Sequence, residues 1–154
     1  MTMAIPMTMT YDELRSELGD TQLHIGELYH EKEDYKAAAS WFKASAGNGN
    51  AAAYRSYANM LYDGQGVEKN LSEAFMWYSE SAKLGNSDAN FQLAYILLHD
   101  YSGSWADING SILMKSSAAL GCSKAINYLH SKKNTLPYDF KKHPMTLRSH
   151  AVKC

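Results

Sequence analysis

The chain has 154 residues, 45% of them hydrophobic. That is enough for one core at the size where roughly 70% of the unfolded surface is buried. Fifteen Lys and Arg face sixteen Asp and Glu, a formal net charge of −1, so no broad field of one sign exists to draw in a phosphate backbone or an anionic membrane, and both are disfavoured as partners.

Taken in chain order, Met1 to Met9 lack the basic stretch and the apolar run of about 7–15 residues that a secretion signal needs. They are expected to be a flexible arm, residues 1–9. No apolar run approaches the ~20 residues that span a bilayer. Cys122 and Cys154 have neither metal-ligand spacing nor a dense disulfide pattern. A soluble protein of a reducing compartment, the cytoplasm, is expected.

Thr10-Tyr11-Asp12-Glu13 has the capping-box pattern of a starting helix, in which the Thr hydroxyl and the Glu carboxylate satisfy free amides. Leu14 and Leu18 are then expected to cover the open end of a helical stack. From there the chain repeats. Gly49, Gly85 and Gly121 are separated by 36 residues twice (85 − 49, 121 − 85), and Ala46, Ala82, Ala118 and Ala53, Ala89, Ala125 keep the same interval. Such self-similarity is the signature of stacked helix pairs. The first helices align as Ile25-Gly26-Glu27-Leu28-Tyr29, Tyr57-Ala58-Asn59-Met60-Leu61 and Leu93-Ala94-Tyr95-Ile96-Leu97. The small residues Gly26, Ala58 and Ala94 mark close helix approach. The second helices align through Trp41, Trp77 and Leu113. In the first repeat the connection, Glu31 to Asp34, is four residues shorter. In the second, Asp63-Gly64-Gln65-Gly66-Val67 stops the first helix with glycines that permit positive φ, and Val67 plugs the gap between helices.

Apolar positions at i, i+3, i+4 and i+7 give each helix one buried stripe, and no segment alternates as a strand does. Ser123 to Ser131 is expected as a last first-type helix sealing the stack. The fold expected is all-α, with about three helix-turn-helix repeats and extra terminal helices over residues 10–133, followed by an extended or disordered tail over 134–154. Tyr138, Phe140 and Met145 of that tail could instead fold back as an internal ligand.

The second repeat resembles the Sel-1-like repeat, a relative of the tetratricopeptide repeat. The resemblance rests on Tyr57-Ala58, Asp63-Gly64-Gln65-Gly66-Val67, Glu73-Ala74, Trp77-Tyr78, Ser81-Ala82 and Gly85. The first repeat is similar to a tetratricopeptide unit through Gly26, Tyr29, Tyr35, Ala38 and Ala46. The third keeps only Ala89, Leu93-Ala94, Ala118-Ala119 and Gly121, with a diverged loop at Tyr101 to Trp105. The resemblance implies a right-handed α-solenoid used as a scaffold for protein assembly.

In such a stack the first helix of each pair lines the concave side, where a partner protein or peptide binds. With Gly26, Ala58 and Ala94 as anchors, the groove set is Leu23, Glu27 and His30, then Arg55, Asn59 and Tyr62, then Phe91, Tyr95 and His99. Exposed aromatics supply rigid contact area and Arg can grip a carboxylate, so a peptide with an acidic group and apolar anchors is the expected ligand. Two alternatives remain open: that Phe91 and Tyr95 complete a thin core, and that Arg55 and Asn59 are solvated surface.

Catalysis is not expected. The six histidines, His24, His30, His99, His130, His143 and His150, form no His-x-x-x-His pair, and there is no nucleophile elbow, phosphate loop or dinucleotide fingerprint. No metal or other cofactor is expected. Three roles remain open: an adaptor or scaffold, a dedicated inhibitor or immunity protein that occludes a toxin or effector, and a self-assembling structural element forming a homo-oligomer.

Overall fold

A computed structural model describes residues 8–132. Most of the expected arm and all of the expected tail, with Tyr138, Phe140 and Met145, lie outside the described residues. Among those described there are seven helices and no strand: α1 (Tyr11–Glu31), α2 (Tyr35–Gly47), α3 (Ala51–Asp63), α4 (Leu71–Lys83), α5 (Ser87–His99), α6 (Ser104–Ala119) and α7 (Ser123–Ser131). The all-α helix-pair architecture is the one the 36-residue interval predicts. The chain forms two compact units that divide between Glu80 and Ser81, inside α4.

In the first unit, α1 opens on the expected capping box: the Thr10 hydroxyl accepts from the Glu13 amide at 3.3 Å and the Glu13 carboxylate accepts from the Thr10 amide at 2.7 Å. The expected starting helix and the first repeat helix are one continuous helix, because nothing between Leu18 and Gln22 caps or breaks it. Gly19 serves packing instead. Its carbonyl accepts from the buried Ser45 hydroxyl of α2 at 2.6 Å, and the Cβ atoms of Asn48 and Asn50 come within ordinary contact distance of where its own Cβ would lie. Leu14 is 37% and Leu18 50% exposed, so each is only partly covered at this end. Gly26 is the predicted close approach, since a Cβ there would lie 2.6 Å from the ring of buried Phe42.

The short turn after α1 is closed by the Asp34 amide donating to Tyr29 at 3.0 Å, with Glu33 at φ +61. The Asp34 carboxylate then caps α2 through the Ala37 amide. On α4, the half-buried Trp77 stacks on Tyr54 at 5.5 Å and meets Tyr57 edge-on at 5.9 Å. Its neighbour Tyr78 is buried in the core beside them, so the Trp-Tyr pair locks α4 to α3.

In the second unit, α5, α6 and α7 enclose Ala94, Met114, Ala118, Cys122, Ala125 and Leu129. Full burial of side chains such as Met114 and Leu129 contributes about 1.5–3 kcal/mol each. Gly110 lets α6 approach α5, where a Cβ would lie 2.7 Å from Leu98.

Three devices explain the period. Asn50 and Asn86 cap α3 and α5 by accepting from the amide three residues on, each at 3.0 Å. Gly49, Gly85 and Gly121 end the second helices at φ +86, +83 and +88, and each amide donates back to the repeated alanine, Ala46, Ala82 or Ala118. A buried hydroxyl then ties the second helix of a pair to its first: Ser45 to Gly19 and, in the second unit, Ser117 to Ser87 at 2.7 Å. Ser45→Ala and Ser117→Ala are each expected to lower stability by about 1 kcal/mol through the lost buried bond. Urea unfolding would show it, and an unchanged midpoint would contradict the tie.

Candidate partner-binding site

The expected groove residues lie on α1 and α3 in the first unit and on α5 in the second. In the first, Glu27 lies 3.8 Å from His24 in an exposed pair that adds little to stability. His30 is exposed, and its ring meets Tyr35 edge-on at 5.2 Å and lies 6.4 Å from Phe42, at the turn between α1 and α2. Leu23 is half-buried. On α3, Arg55 is half-buried with Nε shut off from solvent, and the Lys69 ammonium lies 5.3 Å from the centre of the Tyr62 ring. Asn59 is committed to the fold, because its side-chain oxygen accepts a short hydrogen bond from the hydroxyl of buried Tyr78. Neither open reading anticipated that role.

The second unit gathers its set more closely. Phe91, Tyr95 and His99 stand one turn apart on α5, with ring centres 6.0 Å and then 4.2 Å apart. Tyr128 of α7 completes the ladder, perpendicular to His99 at 5.9 Å with its hydroxyl 3.2 Å from His99 Nε2. The two readings of the aromatics separate residue by residue. Phe91 packs against the core, whereas Tyr95 is half-buried and rests on the exposed His99 ring. Burial, and after it the neighbouring Tyr95, raise the Tyr128 pKa above its ordinary 10.0, so the phenol keeps its proton and its donor through the neutral range. One turn before Phe91 on α5, the buried Asp88 pairs with Lys124 of α7 at 3.0 Å, so their charges offset each other.

Two features of this cluster escape simple register. The four-residue step from Gly26 to His30 and from Ala58 to Tyr62 lands on Leu98 in the third repeat, and Leu98 packs into the core. His99, one position further, is the surface residue. Tyr128 was missed because α7 was read only as a seal. Its signal was an aromatic on the first-type helix that follows α5 in the repeat order.

The ladder offers flat apolar faces edged by two phenol hydroxyls and an imidazole, a surface suited to an apolar or cationic side chain. Among the described residues no group of three or more His, Cys, Asp or Glu is placed to hold a metal ion, and no helix is long and apolar enough to cross a membrane.

Two solved structures have the same fold. One is the crystal structure of c5321, described as a protective antigen present in uropathogenic Escherichia coli strains displaying an SLR fold. It matches 80% of this chain with a TM-score of 0.68 at 22% identity, and this chain spans 34% of its length. The other, a Sel1 repeat protein from Oxalobacter formigenes, matches 78% of this chain and 95% of its own with a TM-score of 0.64 at 21% identity. The Sel1 repeat family itself matches residues 17–50 and 51–86. Sel1 repeats are helical repeats that generally mediate protein–protein interaction. The third pair, α5 and α6, keeps the asparagine cap, the tying serine and the closing glycine although the family match stops at residue 86. Residues 17–86 are thus similar to a tandem of two Sel1 repeats.

Proposed function

We propose that the protein is a non-catalytic adaptor or scaffold whose partner is another protein or peptide, with the partner's apolar anchor seated on the ladder of Phe91, Tyr95, His99 and Tyr128. The observation that carries this reading is the ladder itself. Two helices contribute four rings to one face; Phe91 and Tyr128 also pack against the core, whereas Tyr95 and His99 stack beside it with His99 exposed. In the first unit Arg55, Tyr62, Glu27 and His30 are the further candidates for contact, and Asn59 also accepts from the Tyr78 hydroxyl.

Capture from lysate of the producing cell tests this, with the wild-type chain set against Tyr95→Ala combined with His99→Ala. The expected result is one stoichiometric protein retained by the wild type and lost by the double variant, both equally helical by circular dichroism. A partner retained equally by both removes the ladder as the docking surface.

A further inference from the structure

Helix α6 is apolar on both sides. Ala106, Gly110, Met114, Ser117 and Ala118 form its buried face. At about 100° per residue, Trp105, Ile108 and Ile112 fall on the opposite face, where they are 67%, 60% and 58% exposed. A soluble helix with one buried stripe ordinarily carries polar residues there. The repeats themselves do not call for this pattern: one 36-residue interval earlier the same positions hold Lys69, Ser72 and Met76, and two intervals earlier Glu33, Lys36 and Ser40.

The exposed stripe continues through Ser116 and Ala119, so the steps along it are three, four, four and three residues, symmetric about Ile112. Two such helices laid antiparallel across a two-fold axis at Ile112 set large against small on both sides. Trp105 of one copy faces Ala119 of the other, Ile108 faces Ser116, and Ile112 faces itself. Lys115, three residues after Ile112 and half-buried, borders the stripe without being one of its five positions. We propose that this face of α6 is a self-association surface whose occupant is α6 of a second copy of the chain.

The size of the patch sets the strength. Each copy offers roughly 400 Å² of apolar surface, so a pair buries about 800 Å² in total, below the ~1,200 Å² of stable complexes. The dimer is therefore weak, with a dissociation constant on the order of 100 μM.

Sedimentation equilibrium of the full chain from about 10 μM to 1 mM brackets that constant. The expected result is a weight-average mass rising above the monomer for the wild type. Ile112→Glu and Ile112→Lys should each remain monomeric because a like charge meets itself at the axis, and their equimolar mixture should rise again as unlike charges pair. Position 112 is exposed, so circular dichroism should show wild-type helicity in both variants. A wild type that stays monomeric at the top concentration, or an Ile112→Glu variant that associates as the wild type does, overturns the proposal. A mixture no heavier than its components overturns the axis at Ile112.

Discussion

Gly66→Ala is expected to cost about 3 kcal/mol, a large loss for a surface loop residue. Gly66 sits at φ +71, which alone penalises an L side chain by roughly 1–2 kcal/mol. The larger part is contact. A Cβ at this position would lie 2.2 Å from the Tyr35 carbonyl oxygen, 2.3 Å from its carbon and 2.7 Å from the Lys36 amide nitrogen. All three are backbone atoms at the start of α2, held by the Asp34 cap and the closed turn before it, so they cannot swing aside as a side chain can. The loop after α3 must lift away. Gly85→Ala is the control: its φ is +83, yet nothing lies within 4 Å of the added Cβ, so only the conformational cost of about 1 kcal/mol is expected there. Urea unfolding of the two variants separates contact from conformation, and equal losses would show that Gly66 is required for its φ alone.

Tyr95→Ala is expected to weaken partner binding by roughly 10- to 100-fold, the effect of truncating an aromatic anchor at the centre of an interface. The ring makes the shortest stacking contact of the ladder, 4.2 Å to His99, and its loss frees both His99 and Phe91 to reorient. Tyr128→Phe keeps the ring and removes only the hydroxyl bonded to His99 Nε2, so a several-fold loss, about 1 kcal/mol, is expected. Asn59→Ala should act differently. It strips the buried Tyr78 hydroxyl of its acceptor and so lowers stability, leaving affinity per folded molecule unchanged. Titration of the purified partner against each variant, read beside its unfolding midpoint, distinguishes these outcomes.

Most of the helical framework was legible in the sequence because its signals are local. The capping box at Thr10, the glycine at the close of each second helix and the span of α7 depend on backbone geometry within one turn, and residue type reports that directly. What escaped depends on contacts between distant segments. Gly66 reads as a turn residue, whereas its main constraint is the backbone of α2 some thirty positions earlier. Gly19 carries no local signal at all, yet its carbonyl accepts from the buried Ser45 hydroxyl of the next helix. Within the candidate site, the α5 aromatics follow from helical spacing, but Asn59 looked like surface until Tyr78 was placed against it. Tyr128 could be joined to the set only once α7 was set beside α5.

The claim that the ladder receives a protein partner is tested most directly by placing a photo-crosslinking benzoylphenylalanine at position 95 in the producing cell, with the same residue at exposed Ser72 as the control, and identifying adducts by mass spectrometry. One dominant protein adduct from position 95 that is absent from position 72, and lost when His99→Ala and Tyr128→Ala are added, is the predicted result. Adducts of equal pattern at both positions, or none at position 95, would contradict it.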